Sequence, residues 1–415
     1  MLALVFSARS GLPRVRFFNL GGGPTLVGGQ LGFTEGGLVH AVRSMVPLTS
    51  RYEVDVVCPN VADADGAVSE VSFRGVRITC PGRPRSVRWM HTGELSVVER
   101  PVQTILNWPS IVAGYASQSR QLAHWDGDVV LANGILGSYL VGLTRGRWLK
   151  IAVIHHLYHD PWTTGAASSP SGLYARAERF LLSRLRCDAI AVVNPSVASR
   201  LAQYGYPPEK VIFVGNGVDQ RAYPFSPYHD ENTLVFVGRL RAAKGVASVL
   251  DAFSLVHRER PRAVLHIIGD GLLRESLEVH AASLGVANSV VFHGFVDEET
   301  KTRLIRSAAV YLSASRFEGF GLPVAEAMSV GAVPVVSDIP AHRYIFQDRG
   351  VGFLTSTADE MADRTLELLR DSALRTSMSI AGRALVEEMW TWEHVAARYG
   401  TLIDGLLAAR TGGRD

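Results

Sequence analysis

SRFEGFGLPVAEAMSVGAVPVV, residues 315–336, places two glutamates eight positions apart, Glu318 in a Gly-Phe-Gly turn and Glu326 in a helix. The preceding YLSAS (311–315) reads as the end of a strand. Glu318, Gly319, Phe320, Gly321 and Leu322 make the turn, and Pro323 suits the first helical position, where its missing N–H costs nothing. A helix of about eight residues follows, closed by Gly331 in the left-handed conformation. Free backbone N–H groups at the helix start then point into the crevice above the sheet. They form an electropositive nest for an anion or a hydroxyl-rich group. Glu318 faces that nest from the loop. Glu326, expected within the first turn, either faces it too or merely complements the helix dipole. Two carboxylates over polar backbone can accept hydrogen bonds from sugar hydroxyls, one from a ribose diol and the other from a second sugar.

Outward from this stretch, short apolar runs alternate with helical patterns. RVRFFNL (14–20), YEVDVVCP (52–59), DVVLANG (128–134), KIAVIHH (150–156), DAIAVVN (188–194) and KVIFVGNG (210–217) read as strands, with helices over 173–186 and 195–204. A break with two prolines, DQRAYPFSPYHDENT (219–233), reads as a linker. The pattern then restarts with LVFVGRL (234–240), AVLHIIGDG (263–271), SVVFHGF (289–295), AAVYLSAS (308–315) and AVPVVS (332–337). Apolar strands separated by helices imply parallel sheets covered on both faces. The expectation is two doubly wound α/β domains, residues 1–220 and 221–389. A final helix at about 390–410 would use Trp390, Trp392 and Tyr399 for packing, and in a doubly wound pair it can return to the first domain. Such sheets bind ligands at the carboxyl ends of their strands, where the glycines and charges cluster here.

With 415 residues, 47% hydrophobic and 20% charged, the chain is long enough for two cores. Cys58, Cys80 and Cys187 are scattered, with no disulfide framework or zinc spacing. That, and an apolar start (MLALVFSARS) too short for a signal peptide, points to the cytoplasm. No run approaches the roughly 18 apolar residues of a spanning helix. Residues 1–225 carry 22 Lys+Arg against 15 Asp+Glu, and residues 226–415 carry 20 against 24. The basic half holds Arg83, Arg85 and Arg88 in CPGRPRSVRWM (80–90), with Trp89 and Met90 following. Arginines beside apolar residues suit an anionic lipid headgroup or a phosphate-bearing acceptor at the inner face of a membrane; the alternative is a solvated loop. Lysine is scarce, only Lys150, Lys210, Lys244 and Lys301, which makes each one informative.

Other stretches fit an anionic, sugar-bearing ligand. VGRLRAAKG (237–245) ends a strand with Arg239 and follows with Lys244. Both can serve one pyrophosphate, the arginine as a fork and the lysine as a point charge. IIGDG (267–271) gives another glycine turn, and FHGFV (292–296) places Gly294 where a flat base can lie against backbone.

The ordered set Gly238-Arg239-Leu240, Lys244-Gly245, Gly269-Asp270-Gly271, His293-Gly294 and Glu318-x7-Glu326 resembles the retaining glycosyltransferases of family 4. VGNGVD (214–219) resembles the same family. The likeness is strong over about 220–340 and weak in the N-terminal half. It implies the GT-B fold, two Rossmann-like domains facing a cleft, and transfer of a sugar from a UDP- or GDP-linked donor to a hydroxyl acceptor, an anionic lipid or a small natural product. It implies no cofactor and no metal, since Arg239, Lys244 and helix N-termini supply the positive charge, and no nucleic-acid partner. By position, Arg239 and Lys244 would hold the diphosphate and Glu326 the ribose. Glu318 would contact the transferred sugar beside the backbone of Gly319, Phe320 and Gly321, with Gly294 near the base. Gly36 and Gly37 resemble the glycine loop before the first helix, and His155, rather than His156, the histidine facing the sugar. Ala314, Asn194 and Tyr344 depart from the family pattern, at positions where proline, serine and glutamate are frequent.

Rival readings fit less well. Asp63-Ala64-Asp65 and Asp126-Gly127-Asp128 look like metal-binding pairs, but the first sits in a loop without phosphate neighbours and the second opens a strand. For a nicotinamide oxidoreductase, the glycine run from Gly21 puts Leu26 at the last fingerprint position, and Cys58-Pro59-Asn60 stands where an acidic residue is expected. A pyridoxal-phosphate phosphorylase would need a lysine already assigned. An inactive sugar-nucleotide-binding protein would not need both glutamates with Arg239 and Lys244.

Overall fold

A computed structural model describes residues 11–18, 25–27, 30–32, 36–58, 61–63, 66–67, 70–80, 85–86, 122–155, 157, 171–227 and 230–412. Two separate α/β sheets carry the molecule. The N-terminal one is built from β1 (Arg14–Phe18), β2 (Glu53–Val57), β3 (Glu70–Phe73), β4 (Val76–Thr79), β5 (Val129–Asn133), β6 (Leu149–Ile154), β7 (Ala189–Val192) and β8 (Val211–Phe213). Their order across the sheet is β8-β7-β6-β5-β1-β2-β4-β3. All neighbours are parallel except the β3–β4 hairpin. Strand order reverses between β1 and β5, where Val15 pairs with Val129 on one side and Val54 on the other. Helices α1 (Gly36–Met45), α2 (Gly134–Leu143), α3 (Ser171–Ser183) and α4 (Pro195–Gln203) accompany this sheet.

The C-terminal sheet contains β9 (Asp230–Val237), β10 (Val264–Ile268), β11 (Val290–Gly294), β12 (Ala308–Ser313), β13 (Val333–Ser337) and β14 (Phe353–Thr355). It is parallel throughout, in the order β11-β10-β9-β12-β13-β14. Its switch point lies between β9 and β12, the location where open α/β sheets form a crevice. Its helices are α5 (Val246–Glu259), α6 (Arg274–Ser283), α7 (Glu298–Ser307), α8 (Leu322–Val330), α9 (Pro340–Phe346), α10 (Ala358–Arg370) and α11 (Ser372–Met389). All six residues of β12 are buried, which is why the strand reads as one continuous apolar run.

The last helix, α12 (Trp392–Gly412), belongs to the other core. Trp392, Val395, Ala396, Tyr399, Leu402 and Ile403 pack with Phe17, Met45 and Val56 of the N-terminal domain. Trp390, two residues earlier, is fully buried in the C-terminal core beside Phe320 and Phe346. The two strands of chain that pass between domains run side by side, with the Val218 N–H donating to the Trp390 carbonyl at 2.8 Å.

Several boundaries differ from the sequence reading. The strand at 150–156 stops at Ile154, and β9 begins at Asp230, inside the expected linker. The β3–β4 hairpin turns through Arg74 and Gly75, both with positive φ. Its alternating EVSF and VRIT arms are the signal the continuous-run reading passes over. Cys58 and Cys80, remote in sequence, follow neighbouring strands β2 and β4 and bring their thiols to 3.4 Å.

Candidate active site

Helix α8 starts directly after Gly321, whose φ of +93° is readily adopted only without a side chain. Leu322 takes the first helical position and Pro323 the second, one residue later than the sequence suggests. Glu326 is therefore in the second turn, not the first. Phe320 is buried against Trp390, ring centroids 5.5 Å apart, so its side chain anchors the loop.

Glu318 and Glu326 each meet a lysine. Lys244 donates from Nζ to Glu318 Oε1 at 2.6 Å, and the Ser315 hydroxyl donates to the same oxygen at 2.8 Å. Burial alone would raise the Glu318 carboxyl. Lys244 above all, with His342 and Ser315, outweighs burial and holds it below the usual carboxylate range. Lys244 is aimed by a short turn, Ala242–Lys244, that ends at Gly245 in the left-handed region (φ +62°). A Cβ on Gly245 would overlap the Ala314 carbonyl oxygen, so only glycine lets this loop close against the Glu318 loop. The Arg316 N–H donates to the Ala243 carbonyl at 2.9 Å and clips the two together.

Glu326 is a different kind of carboxylate. It is buried, 3.3 Å from Lys301 Nζ of α7, which also pairs with Glu298 at 2.9 Å. Tyr223 donates its hydroxyl to Glu298 at 2.8 Å and completes the cluster. Burial pushes the Glu326 carboxyl up, and Lys301 only partly offsets this. Arg239 follows β9 at the switch point, exposed, and its side chain makes no hydrogen bond or ion pair with a described residue. Gly294 ends β11, its carbonyl accepting from the Gly269 N–H at 2.8 Å.

Across the cleft, His155 follows β6 and shares a 2.7 Å hydrogen bond from Nε2 with Asn133 Oδ1. The amide oxygen accepts, so Nε2 carries the proton. His155 meets His40 edge to face at 4.8 Å. His40 is fully buried, bonded to Asn216 Oδ1 at 2.6 Å and the Tyr399 hydroxyl at 2.8 Å, and burial lowers its pKa to about 4. The domains touch here: a Cβ on Gly319 would lie 3.1 Å from the His155 carbonyl oxygen. Asn194 donates to the Glu318 carbonyl at 3.4 Å while capping α4. Gly36 and Gly37 open α1. His156, Asp65 and Arg83, Arg88, Trp89 and Met90 lie outside the described residues. Asp126 and Asp128 both bind Arg14, through its guanidinium and its backbone N–H, which makes that pair a strand clasp.

Residues 36–217 match the glycosyl transferase 4-like domain, and residues 220–385 match the glycosyl transferases group 1. The chain belongs to the group 1 glycosyltransferases. A phosphatidyl-myo-inositol mannosyltransferase of Mycobacterium tuberculosis is 31% identical over 54% of this chain and 55% of the relative. Among solved structures, sucrose-phosphate synthase from Thermosynechococcus elongatus superposes with a TM-score of 0.72 at 17% identity, covering 95% of this chain and 100% of that one. An Anabaena protein in complex with UDP and glucose gives 0.69 at 16%, covering 95% and 100%. These likenesses establish the GT-B fold.

In this glycosyltransferase, the sequence reading gave no site role to Lys301, Asn133 or Ser315, and marked Asn194 only as a departure from the family pattern. Lysine scarcity was the available signal for Lys301, since Lys244 and Lys301 are the two lysines of the C-terminal half and each holds one glutamate of the Glu-x7-Glu pair. Tyr344, where the family has glutamate, packs on Phe213 (4.9 Å) and Trp390 (5.3 Å), a hydrophobic role at the domain junction. Among the described residues no helix is long and apolar enough to cross a membrane.

Proposed function

We propose that the protein is a retaining glycosyltransferase of family 4 that moves a sugar from a UDP- or GDP-linked donor to a hydroxyl acceptor without a metal. The observation that carries this reading is the Lys244–Glu318 pair in the loop before α8, with the His155 backbone of the other domain against Gly319 of the same loop. The Lys244 ammonium, the Arg239 guanidinium, unpaired among the described residues, and the α8 N–H groups are the groups suited to a diphosphate. Glu318, kept ionised, accepts hydroxyls of the transferred sugar, and Glu326 accepts the ribose diol, exchanging part of its Lys301 pairing for it. The bond from the anomeric carbon to the diphosphate breaks and the acceptor oxygen bonds the same face of the sugar. The acceptor proton passes to the departing phosphate oxygen. The protein positions the partners and neutralises the leaving charge. The Anabaena neighbour with UDP and glucose supports the donor class.

The donor is tested by thermal unfolding against UDP-, GDP- and ADP-sugars. A donor at 100 times its Kd stabilises the fold by about 2.7 kcal/mol, and no shift with any of them contradicts the reading. For the acceptor, the basic N-terminal half and its Arg83, Arg85 and Arg88 favour an anionic lipid, as does the relative named for phosphatidyl-myo-inositol. Sedimentation with anionic vesicles that weakens as salt rises, and vanishes when those arginines become glutamine, supports a lipid. Failure to sediment at low salt assigns a small soluble acceptor.

A further inference from the structure

We infer that the carboxyl ends of β12, β13 and β14 form a second binding site, for a neutral saccharide unit that is not the one transferred. A cavity of about 640 Å³ opens there between the starts of α5 and α10. Its size falls within the roughly 300–1,000 Å³ of small-ligand sites. Arg239, Lys244, Gly294 and Glu326 do not line it. The shared wall is Ser315, which lines the cavity with its neighbours and donates its hydroxyl to Glu318.

The chemistry of the walls selects the ligand. The Arg316 guanidinium is exposed and binds no described residue, and the hydroxyls of Ser248 and Ser356 are likewise uncommitted among the described residues. Asp338 Oδ2 accepts from the Arg343 guanidinium, while Oδ1, buried in the wall, receives no hydrogen bond from a described group. A small rotation of this carboxylate presents that oxygen to a ligand hydroxyl and forfeits no existing bond of Oδ1. Ile339 and Met361 supply an apolar floor. One donor fork, one under-used acceptor and free hydroxyls above apolar carbon match the hydroxyl edge and C–H face of a pyranose. An anion fits poorly. Asp338 is itself negative, Glu360 adds a second carboxylate at the start of α10, and two N–H groups there are already taken: Glu360 N–H donates to Thr357 Oγ1 at 3.1 Å, and Ser356 N–H, just before the helix, to Glu360 Oε2 at 2.8 Å.

Saturation-transfer NMR on the full chain, with methyl α-D-glucopyranoside and maltose as probes, tests the site. The expected result is saccharide signal both without UDP and with saturating UDP. Arg316→Ala and Asp338→Ala should each weaken it about tenfold, and Met361→Trp, which fills the cavity, should abolish it. Arg316 is exposed, so its replacement leaves the fold intact, and UDP binding in that variant should match wild type. Absence of saccharide signal, its displacement by UDP or by inorganic phosphate, or its persistence in both Arg316→Ala and Met361→Trp would overturn the inference. Failure of wild type to bind UDP would count against the proposed donor alone, because the saccharide signal is read without it.

Discussion

Lys244→Met removes the ammonium from the Glu318 pair and keeps most of the stem. At 2.6 Å and an effective dielectric of 20, the bare attraction is about 6 kcal/mol, most of it offset by the cost of desolvating both groups. Taking away one partner of a buried pair costs about 3–5 kcal/mol, and the lower end applies because Lys244 keeps 25% of its side chain exposed against 13% for Glu318. A loss of about 3 kcal/mol lowers the melting temperature by about 6–12 °C for a domain of this size. Glu318→Gln alone should also destabilise. The double variant should recover part of the loss, with a coupling energy of about 1–3 kcal/mol. The pH dependence has a definite sign. Glu318 is held below its ordinary range in the folded protein, so its ionisation contributes stability above the unfolded value, and that contribution is lost as pH falls through the lower folded one. Lys244→Met has already lost it, so wild-type and variant melting curves should converge on acidification below the ordinary glutamate range. Transfer should fall about 10²–10³-fold. Equal melting temperatures at neutral pH, with the two single effects simply additive, would refute the pairing.

The remaining predictions separate roles within the site. Arg239→Ala should weaken nucleoside diphosphate binding about 10–100-fold with no change in melting temperature, because the side chain is exposed; titration calorimetry and unfolding read the two effects separately. Glu326→Ala should lower both stability and affinity for the bare diphosphate, because Lys301 and Tyr223 pack against it; Glu318→Ala should leave that affinity nearly unchanged, and identical losses would show the division of roles to be wrong. His155→Ala should slow transfer with little effect on nucleotide binding. Asn133→Ala should reproduce part of that through the lost 2.7 Å bond, and wild-type rates in both would remove His155 from the site.

The C-terminal domain was largely legible because its punctuation is local. β9, β10 and β11 each end in a glycine turn, at Gly238, Gly269 and Gly294, and Gly331 closes α8 as the stretch at 315–336 implies. The pairings were not legible: Lys244 and Glu318 lie 74 residues apart and Lys301 and Glu326 lie 25 apart, distances at which sequence carries no contact signal. The His40–His155 contact depends on Tyr399, which reaches His40 only because α12 returns to the N-terminal core. Short β14 escaped for the opposite reason: three residues, Phe353–Thr355, hold too little pattern to mark a strand.

The most direct test of retaining transfer is the anomer first released when the full chain consumes α-linked UDP- and GDP-sugars in the presence of a chelator, followed by proton NMR before mutarotation. The account predicts turnover of at least one donor with the α-anomer formed first, and loss of that turnover in Arg239→Ala. A first-formed β-anomer, or turnover that requires added divalent metal, would contradict it.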